Sequence, residues 1–225
     1  MRLKLAFCLL ASLFGANLEA AIIFDEGTSV TQLSKTNTAP TILGTLPIGT
    51  STVIGNVANA NNNATATTDI FTFVIAPGTI LDTIIVSQYV STDDLGFIAI
   101  DEGPTFPYTY AQLNALSMDP TKFIGGTTFG PANNTVGTFD LLSSLSPGFG
   151  SRSVVGYQPI QGTASSLPYD ALGPNSYTIL VQQNSAPNIH YTLDLGVIAY
   201  VPEPSSVMLL TIAAFVSLAR RNRHT

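Results

Sequence analysis

Short runs of apolar residues alternate with turn residues along most of the chain. The runs are rich in Ile, Val, Thr and Phe, and Gly, Pro, Asn or Asp bound them. This pattern is typical of β-strands, and the close spacing favours an antiparallel sandwich or barrel over parallel β-α-β units. We therefore expect an all-β fold, an antiparallel β-sandwich of jelly-roll-like form. The runs that predict strands are 21–24, 41–43, 52–57, 69–75, 80–87, 95–100, 176–183 and 189–200.

The stretches between these runs are polar or rich in small residues. Asn59 to Thr68 is a polar loop without periodicity, and Gly125 to Gly137 predicts a long loop rich in Gly and Asn. Tyr110 to Leu116 predicts one short helix. No internal repeat recurs at a fixed period, which argues against a solenoid or a propeller.

The N-terminus has the three regions of a secretory signal peptide. Arg2 and Lys4 precede an apolar run from Leu5 to Ala11, and small residues follow up to Ala20. The run is too short to span a bilayer, so we expect cleavage after Ala20 by signal peptidase after passage through the Sec translocon. The alternative is a buried first helix.

The C-terminus combines a proline motif, a short apolar helix and a basic tail. Pro202 and Pro204 flank Glu203, and the apolar run 207–219 follows. Such a helix spans about 20 Å, less than a bilayer core of about 30 Å, and it would need snorkelling arginines. The positive-inside rule places these arginines in the cytoplasm and residues 21–201 outside. The basic residues are Arg220, Arg221 and Arg223.

This arrangement resembles the PEP-CTERM sorting signal of exported bacterial proteins. The resemblance implies that an exosortase recognises Pro202-Glu203-Pro204, cleaves nearby and releases or transfers the protein. It covers only the end of the chain. An ordinary tail anchor is the alternative interpretation.

The core resembles a second family, the bacterial pre-peptidase C-terminal domain, over residues 23–200. The segments that carry the resemblance are 42–44, 53–57, 69–73 with 77–78 and 81, 93–98, 176–181 and 191–193. The resemblance implies a β-sandwich that serves as a non-catalytic accessory module. Residues 101–170 depart from it, because they are longer than the minimal domain.

Composition and charge exclude several classes of function. Of 225 residues only 10% are charged, and the formal net charge is −6. Without the terminal segments 1–20 and 202–225, three basic residues face twelve acidic residues, a net charge of −9. An acidic core does not bind nucleic acid. The single cysteine, Cys8, lies in the signal segment, which excludes disulfides, Cys-based zinc sites and a thiol nucleophile in the core.

Candidate catalytic residues are scarce. The core has one histidine, His190, which the alternation of its strand places on a solvent-facing surface. No G-x-S-x-G elbow, H-E-x-x-H pattern or phosphate loop is present. Asp93 and Asp94 are weak calcium candidates, although Asp101 and Glu102 belong at the opposite end of the intervening strand. We expect no catalytic residues, metal or cofactor.

Three aromatic residues form the remaining candidate site. Phe106, Tyr108 and Tyr110 alternate after a Gly-Pro turn, and such rings can stack on a sugar. The alternative is that they anchor a loop by packing on the core.

We expect the chain to consist of three segments, of which the middle one is the exported domain. Residues 1–20 are the signal peptide, 21–201 the β-sandwich, and 202–225 the sorting signal with a transmembrane helix. The sequence favours a non-enzymatic protein that is held transiently in the inner membrane and then reaches the cell surface or extracellular matrix. Its expected partners are an exosortase, signal peptidase, the Sec translocon and the membrane. The alternatives are a carbohydrate-binding module for exopolysaccharide and a secreted hydrolase that uses carboxylates such as Asp93, Asp94 and Asp101.

Overall fold

The described part of the chain is built from β-strands. The computed structural model describes residues 20–57, 68–109, 112, 124–137, 140–144, 171–183 and 188–200. Two single 3-10 turns, Pro131–Asn133 and Leu141–Ser144, accompany the strands. The strands are β1 (Ala21–Asp25), β2 (Thr41–Thr45), β3 (Gly49–Val57), β4 (Thr68–Val74), β5 (Thr79–Val90), β6 (Gly96–Glu102), β7 (Gly125–Phe129), β8 (Ser176–Gln182) and β9 (Ile189–Ala199).

Two sheets pack face to face in a sandwich-like arrangement. One sheet has the order β1-β3-β9-β5 and the other the order β2-β4-β8-β6-β7. The prediction of an all-β fold is therefore confirmed. Both sheets are mixed, however, because β1 runs parallel to β3 and β2 runs parallel to β4. The expectation of a wholly antiparallel sandwich is wrong for these two edge strands, each of which pairs with the second strand after it in the chain.

The main core lies between the sheets and follows from the period-two alternation of the strands. In β9, Tyr191, Leu193, Leu195 and Val197 point inward and are buried, while the residues between them are half-buried or exposed. Strands β3, β4, β5, β6 and β8 contribute to the same cluster. Because burial of apolar surface is the main driving force of folding, this inter-sheet layer fixes the relative position of the two sheets.

A second apolar cluster covers the outer face of the five-stranded sheet. Its strand residues are Ile70, Phe97, Ala99 and Leu180, and the segment after β6 packs Phe106 and Tyr108 onto them. The backbone of this segment is fixed as well, since the Phe106 N–H donates to the Asn37 carbonyl at 3.0 Å.

Strand β7 lies where the sequence predicted a long loop. It pairs with β6, and Gly126 faces the ring of Phe97, where an added Cβ would lie 2.5 Å from a ring carbon. Because of its two glycines, the sequence of β7 lacks the apolar alternation that predicts a strand. One of them, Gly126, leaves space for the ring of Phe97. The prediction of a loop over Gly125 to Gly137 is therefore wrong for the segment that forms β7.

Two other predictions concern segments that lie mostly outside the described residues. The polar loop Asn59 to Thr68 is described only at Thr68, where β4 begins. Of the expected helix Tyr110 to Leu116, Gln112 alone is described. It exchanges hydrogen bonds with Thr109 in the pattern of a capping box, with Thr109 N to Gln112 Oε1 at 2.9 Å and Gln112 N to Thr109 Oγ1 at 3.4 Å.

The two ends of the sandwich differ in what they carry. We call the end where β9 stops the exit end, and the opposite end, where β8 stops and β9 begins, the far end. At the exit end the Tyr200 N–H donates to the Gly78 carbonyl at 2.8 Å. Within the described residues, no helix has the length and hydropathy needed to cross a membrane. The expected signal helix and C-terminal helix fall in residues 1–19 and 201–225, outside the described residues.

Candidate functional site

A buried ionic cluster joins the two sheets near the far end. Asp69 of β4 points inward, and its side chain is 0% exposed. Lys35, from the β1–β2 connection, donates a hydrogen bond to Asp69 Oδ1, and Tyr191 of β9 donates its O–H to Asp69 Oδ2 at 2.8 Å. Glu26 Oε1 lies 3.8 Å from Lys35 Nζ. We call these four residues the Asp69 cluster. Both oxygens of the buried carboxylate thus have donors, as a buried charge requires.

Glu26 fixes the connection between β1 and β2. Its Oε1 accepts the Leu33 N–H at 2.6 Å, and its Oε2 accepts the Asn56 N–H at 2.6 Å. Hydrogen bonds to a charged acceptor are stronger than those between neutral groups. Glu26 therefore ties the connection that carries Lys35 to the end of β3.

Burial dominates the electrostatics of the cluster. It raises the pKa of Asp69 from 3.8 to about 6, because desolvation of the carboxylate outweighs the attraction of Lys35. Burial, with the neighbouring Asp69 carboxylate as the next cause, also raises the pKa of Tyr191 well above its ordinary value, so the phenol remains a proton donor. Since no surface of the Asp69 carboxylate is exposed, no substrate reaches it. The cluster acts within the fold.

The aromatic ring of Tyr191 needs the glycine beside it. A Cβ on Gly55, which pairs with Tyr191, would lie 2.3 Å from the phenol oxygen. On its other side Tyr191 meets the ring of Phe129 edge-on at 6.4 Å, and Phe129 meets Tyr89 at 5.8 Å. These contacts hold the hydroxyl in position for Asp69.

A solvent-open cleft lies at the far end, beside the start of β6 and the end of β8. Its volume is about 230 Å³. Its polar lining residues are Asp93, Thr128, Gln182 and Gln183. Leu95, Gly96 and Phe97 also line it. We call it the far-end cleft. Carboxylate, amide and hydroxyl groups thus meet an aromatic ring in one depression.

Hydrogen bonds fix the acidic side of the far-end cleft. Gln183 Nε2 donates to Asp93 Oδ2 at 2.7 Å, and the Tyr89 hydroxyl donates to the Asp93 carbonyl at 2.8 Å. The Asp93 N–H donates in turn to Ser91 Oγ at 3.0 Å. The connection between β5 and β6 therefore presents Asp93 in a defined position.

Two of the predicted aromatic site residues are buried. Phe106 is 1% exposed and Tyr108 is 7% exposed, and both pack in the outer apolar cluster. The expectation that they form a ligand surface is wrong, because their rings fill the gap between the sheet and the segment after β6. The alternative, that they anchor a loop, is confirmed for these two residues. Tyr110 lies outside the described residues.

The acidic candidates and the histidine lie as the strand geometry predicted. Asp93 and Asp94 precede β6, while Asp101 and Glu102 end it, so the two pairs are at opposite ends. Burial is the largest cause that raises the pKa of Asp101 to about 6. In the part of the chain that the structure describes, no three His, Cys, Asp or Glu side chains form a group that could hold a metal ion. His190 is exposed, as predicted.

The structure identifies residues that the sequence did not single out together. Lys35 was visible as one of three cations of the core, but its partner Asp69 is 34 positions away. Gln182 and Gln183 are the last residues of the predicted strand 176–183. Nothing in the sequence indicated that they line a cleft. The sorting residues lie outside the described residues: Pro202, Glu203, Pro204, Arg220, Arg221 and Arg223.

Comparison with known proteins bears on the end of the chain. Residues 201–223 match the family described as the PEP-CTERM protein-sorting motif. The C-terminal segment is a sorting motif. This match supports export, processing by an exosortase and a transient membrane anchor in the C-terminal region. No curated protein matches the chain, and no solved structure matches it. The resemblance of the core to the pre-peptidase C-terminal domain is not confirmed and stays a prediction.

Proposed function

We propose that the chain is a non-enzymatic protein of the cell surface or extracellular matrix, delivered through its C-terminal motif. The closeness in sequence of the end of β9, at Ala199, to the motif at residues 201–223 carries the proposal. The Tyr200 N–H is still hydrogen-bonded to the Gly78 carbonyl, and the sorting motif begins at residue 201. An enzyme that cleaves near this motif therefore acts directly beside the folded sandwich and releases or transfers the sandwich as one unit.

The positions of the acidic residues support a role without catalysis. A glycosidase of the common type needs two carboxyl groups about 5–9.5 Å apart across one cleft. Among the described lining residues of the far-end cleft, Asp93 is the acid, and it accepts a hydrogen bond from Gln183. Asp69 and Glu26 have donors on both carboxylate oxygens. These acids serve structure or binding.

Mass spectrometry of the protein recovered from its own cells tests the sorting route. We expect a mature chain that ends near the motif. Glu203→Ala should instead leave a chain that ends at Thr225 and stays in the membrane fraction. Asp94→Asn, a change in the exposed acid before β6, is the matched control and should be processed normally. A wild-type chain recovered with its C-terminus intact would contradict the proposal.

Cell fractionation tests the destination. The processed wild-type chain should be found with the cell surface or the matrix, where dilute alkali or detergent releases it. Recovery of the processed chain entirely as a free protein in the medium would disprove the surface role while leaving the sorting route in place.

A further inference from the structure

The far-end cleft has the size and lining of a site for one small ring. Its volume of about 230 Å³ lies below the range of about 300–1,000 Å³ that is usual for drug-sized ligands. It combines polar groups with the apolar side chains of Phe97 and Leu95. Concave sites with an apolar wall and a few fixed polar groups are the usual form of small-molecule sites.

The polar groups of the lining offer donors and acceptors close together. Gln183 Nε2 donates to Asp93 Oδ2 at 2.7 Å, which fixes both side chains. An ionised carboxylate has about four acceptor positions, and this bond occupies one of them. Thr128, exposed on β7, adds a hydroxyl that both donates and accepts. Sugar hydroxyls also donate and accept, so they match such a set.

Two glycines hold the apolar part of the lining in place. The ring of Phe97 lies against Gly126, where a Cβ would be 2.5 Å from a ring carbon. Gly96 lines the cleft with its backbone, because a Cβ there would be 2.8 Å from the ring of Phe129. A wall held this closely loses little conformational entropy on binding.

The charge of the cleft selects the class of ligand. No Lys or Arg is among the described lining residues, and the exported core carries a net charge of −9, so anions are disfavoured. A metal ion is disfavoured as well, because the described lining supplies one carboxylate and calcium takes six to eight oxygen ligands. The described lining therefore favours a neutral polar ligand.

We propose that the far-end cleft binds one residue of a neutral sugar, with Asp93 and Thr128 on its hydroxyls and the exposed side chain of Leu95 against its C–H face. Gln183 is buried and holds Asp93 in position. This binding goes beyond the sorting role and does not depend on it. The cleft lies at the end of the sandwich opposite Tyr200. A chain held by its C-terminus therefore presents the cleft away from its point of attachment.

Saturation-transfer NMR on the purified full-length chain tests the proposal. The probes are glucose, galactose, mannose, N-acetylglucosamine and their common disaccharides, with inorganic phosphate and calcium as separate additions. We expect at least one neutral sugar to give saturation transfer with a dissociation constant in the millimolar range, and no competition by phosphate or calcium.

Variants locate the site. Asp93→Asn and Thr128→Val should each weaken binding about tenfold, as expected for the loss of one good hydrogen bond. Asp94→Asn changes the neighbouring acid, which is not among the lining residues, and should bind as the wild type does. Thr128→Val removes a hydroxyl on an exposed position, so it tests the site even where Asp93→Asn unfolds the connection. The proposal is overturned if no sugar binds, if Thr128→Val binds unchanged, or if Asp94→Asn loses binding equally.

Discussion

The buried carboxylate of Asp69 makes the stability of the fold depend on pH in an unusual direction. Its pKa is raised from 3.8 to about 6, because burial penalises the charged form. A shift of about 2 pKa units corresponds to about 3 kcal/mol of free energy. Since the folded state binds the proton more tightly than the unfolded state, this contribution is complete below about pH 4. It is lost as the pH rises through about 6.

Urea unfolding of the purified full-length chain between pH 4 and 7 measures this effect. Tyrosine fluorescence reports the transition, since the chain has 8 Tyr and no Trp. We expect the free energy of unfolding of the wild type to decrease by up to about 3 kcal/mol over this range. In Asp69→Asn, which keeps the shape but cannot titrate, that part of the decrease should be absent.

Asp101→Asn is the control for this experiment. Its pKa is also raised to about 6, but the residue is only half-buried, so solvent screens its contribution. In this variant the free energy of unfolding should still decrease with pH nearly as much as in the wild type. The reasoning fails if the free energy of unfolding decreases equally for Asp69→Asn and the wild type between pH 4 and 6.5. The comparison requires equal m-values in urea.

Further predictions concern the Asp69 cluster, the outer apolar cluster and one exposed strand position. Tyr191→Phe removes the donor to Asp69 and should reduce the free energy of unfolding by about 1.5–3 kcal/mol, measured by urea denaturation. Gly55→Ala places a Cβ 2.3 Å from the Tyr191 hydroxyl and should cost about 1–3 kcal/mol in the same assay. Phe106→Ala should cost about 3–5 kcal/mol, whereas an unchanged midpoint would mean that the ring is not part of the core. His190→Ala should change stability by less than about 0.5 kcal/mol, and a larger loss would show that this exposed side chain has a partner.

Local pattern predicted the long strands because each has a strong period of two. In β9 the inward residues from Tyr191 to Val197 are all large and apolar, so the alternation is unmistakable. Strand β7, Gly-Gly-Thr-Thr-Phe, has no such alternation, since Gly126 is selected by contact with Phe97 across the sheet. The residues of an edge strand likewise do not determine which strand it pairs with. This is why the parallel pairing of β1 with β3 was not foreseen.

The sites depended on contacts that sequence spacing does not show. Lys35, Asp69 and Tyr191 come from three distant segments of the sequence and lie together in the folded sandwich. The aromatic candidates failed for a related reason. A pattern of alternating rings near prolines describes a packed loop as well as an exposed platform, and only burial separates the two.

The strand order has a consequence for how this chain folds during export. Each sheet has one of the last two strands of the sequence at a central position, β9 in the four-stranded sheet and β8 in the five-stranded sheet. β8 pairs with both β4 and β6, and β9 pairs with both β3 and β5. Contacts of such long sequence separation form slowly. The pairs β1–β3, β2–β4 and β6–β7 can form earlier, but β3, β4, β5 and β6 lack a central partner until nearly the whole chain has emerged. Both sheets are therefore completed late. This topology therefore keeps the sheets incomplete, and the polypeptide unfolded, while the chain passes through the translocon.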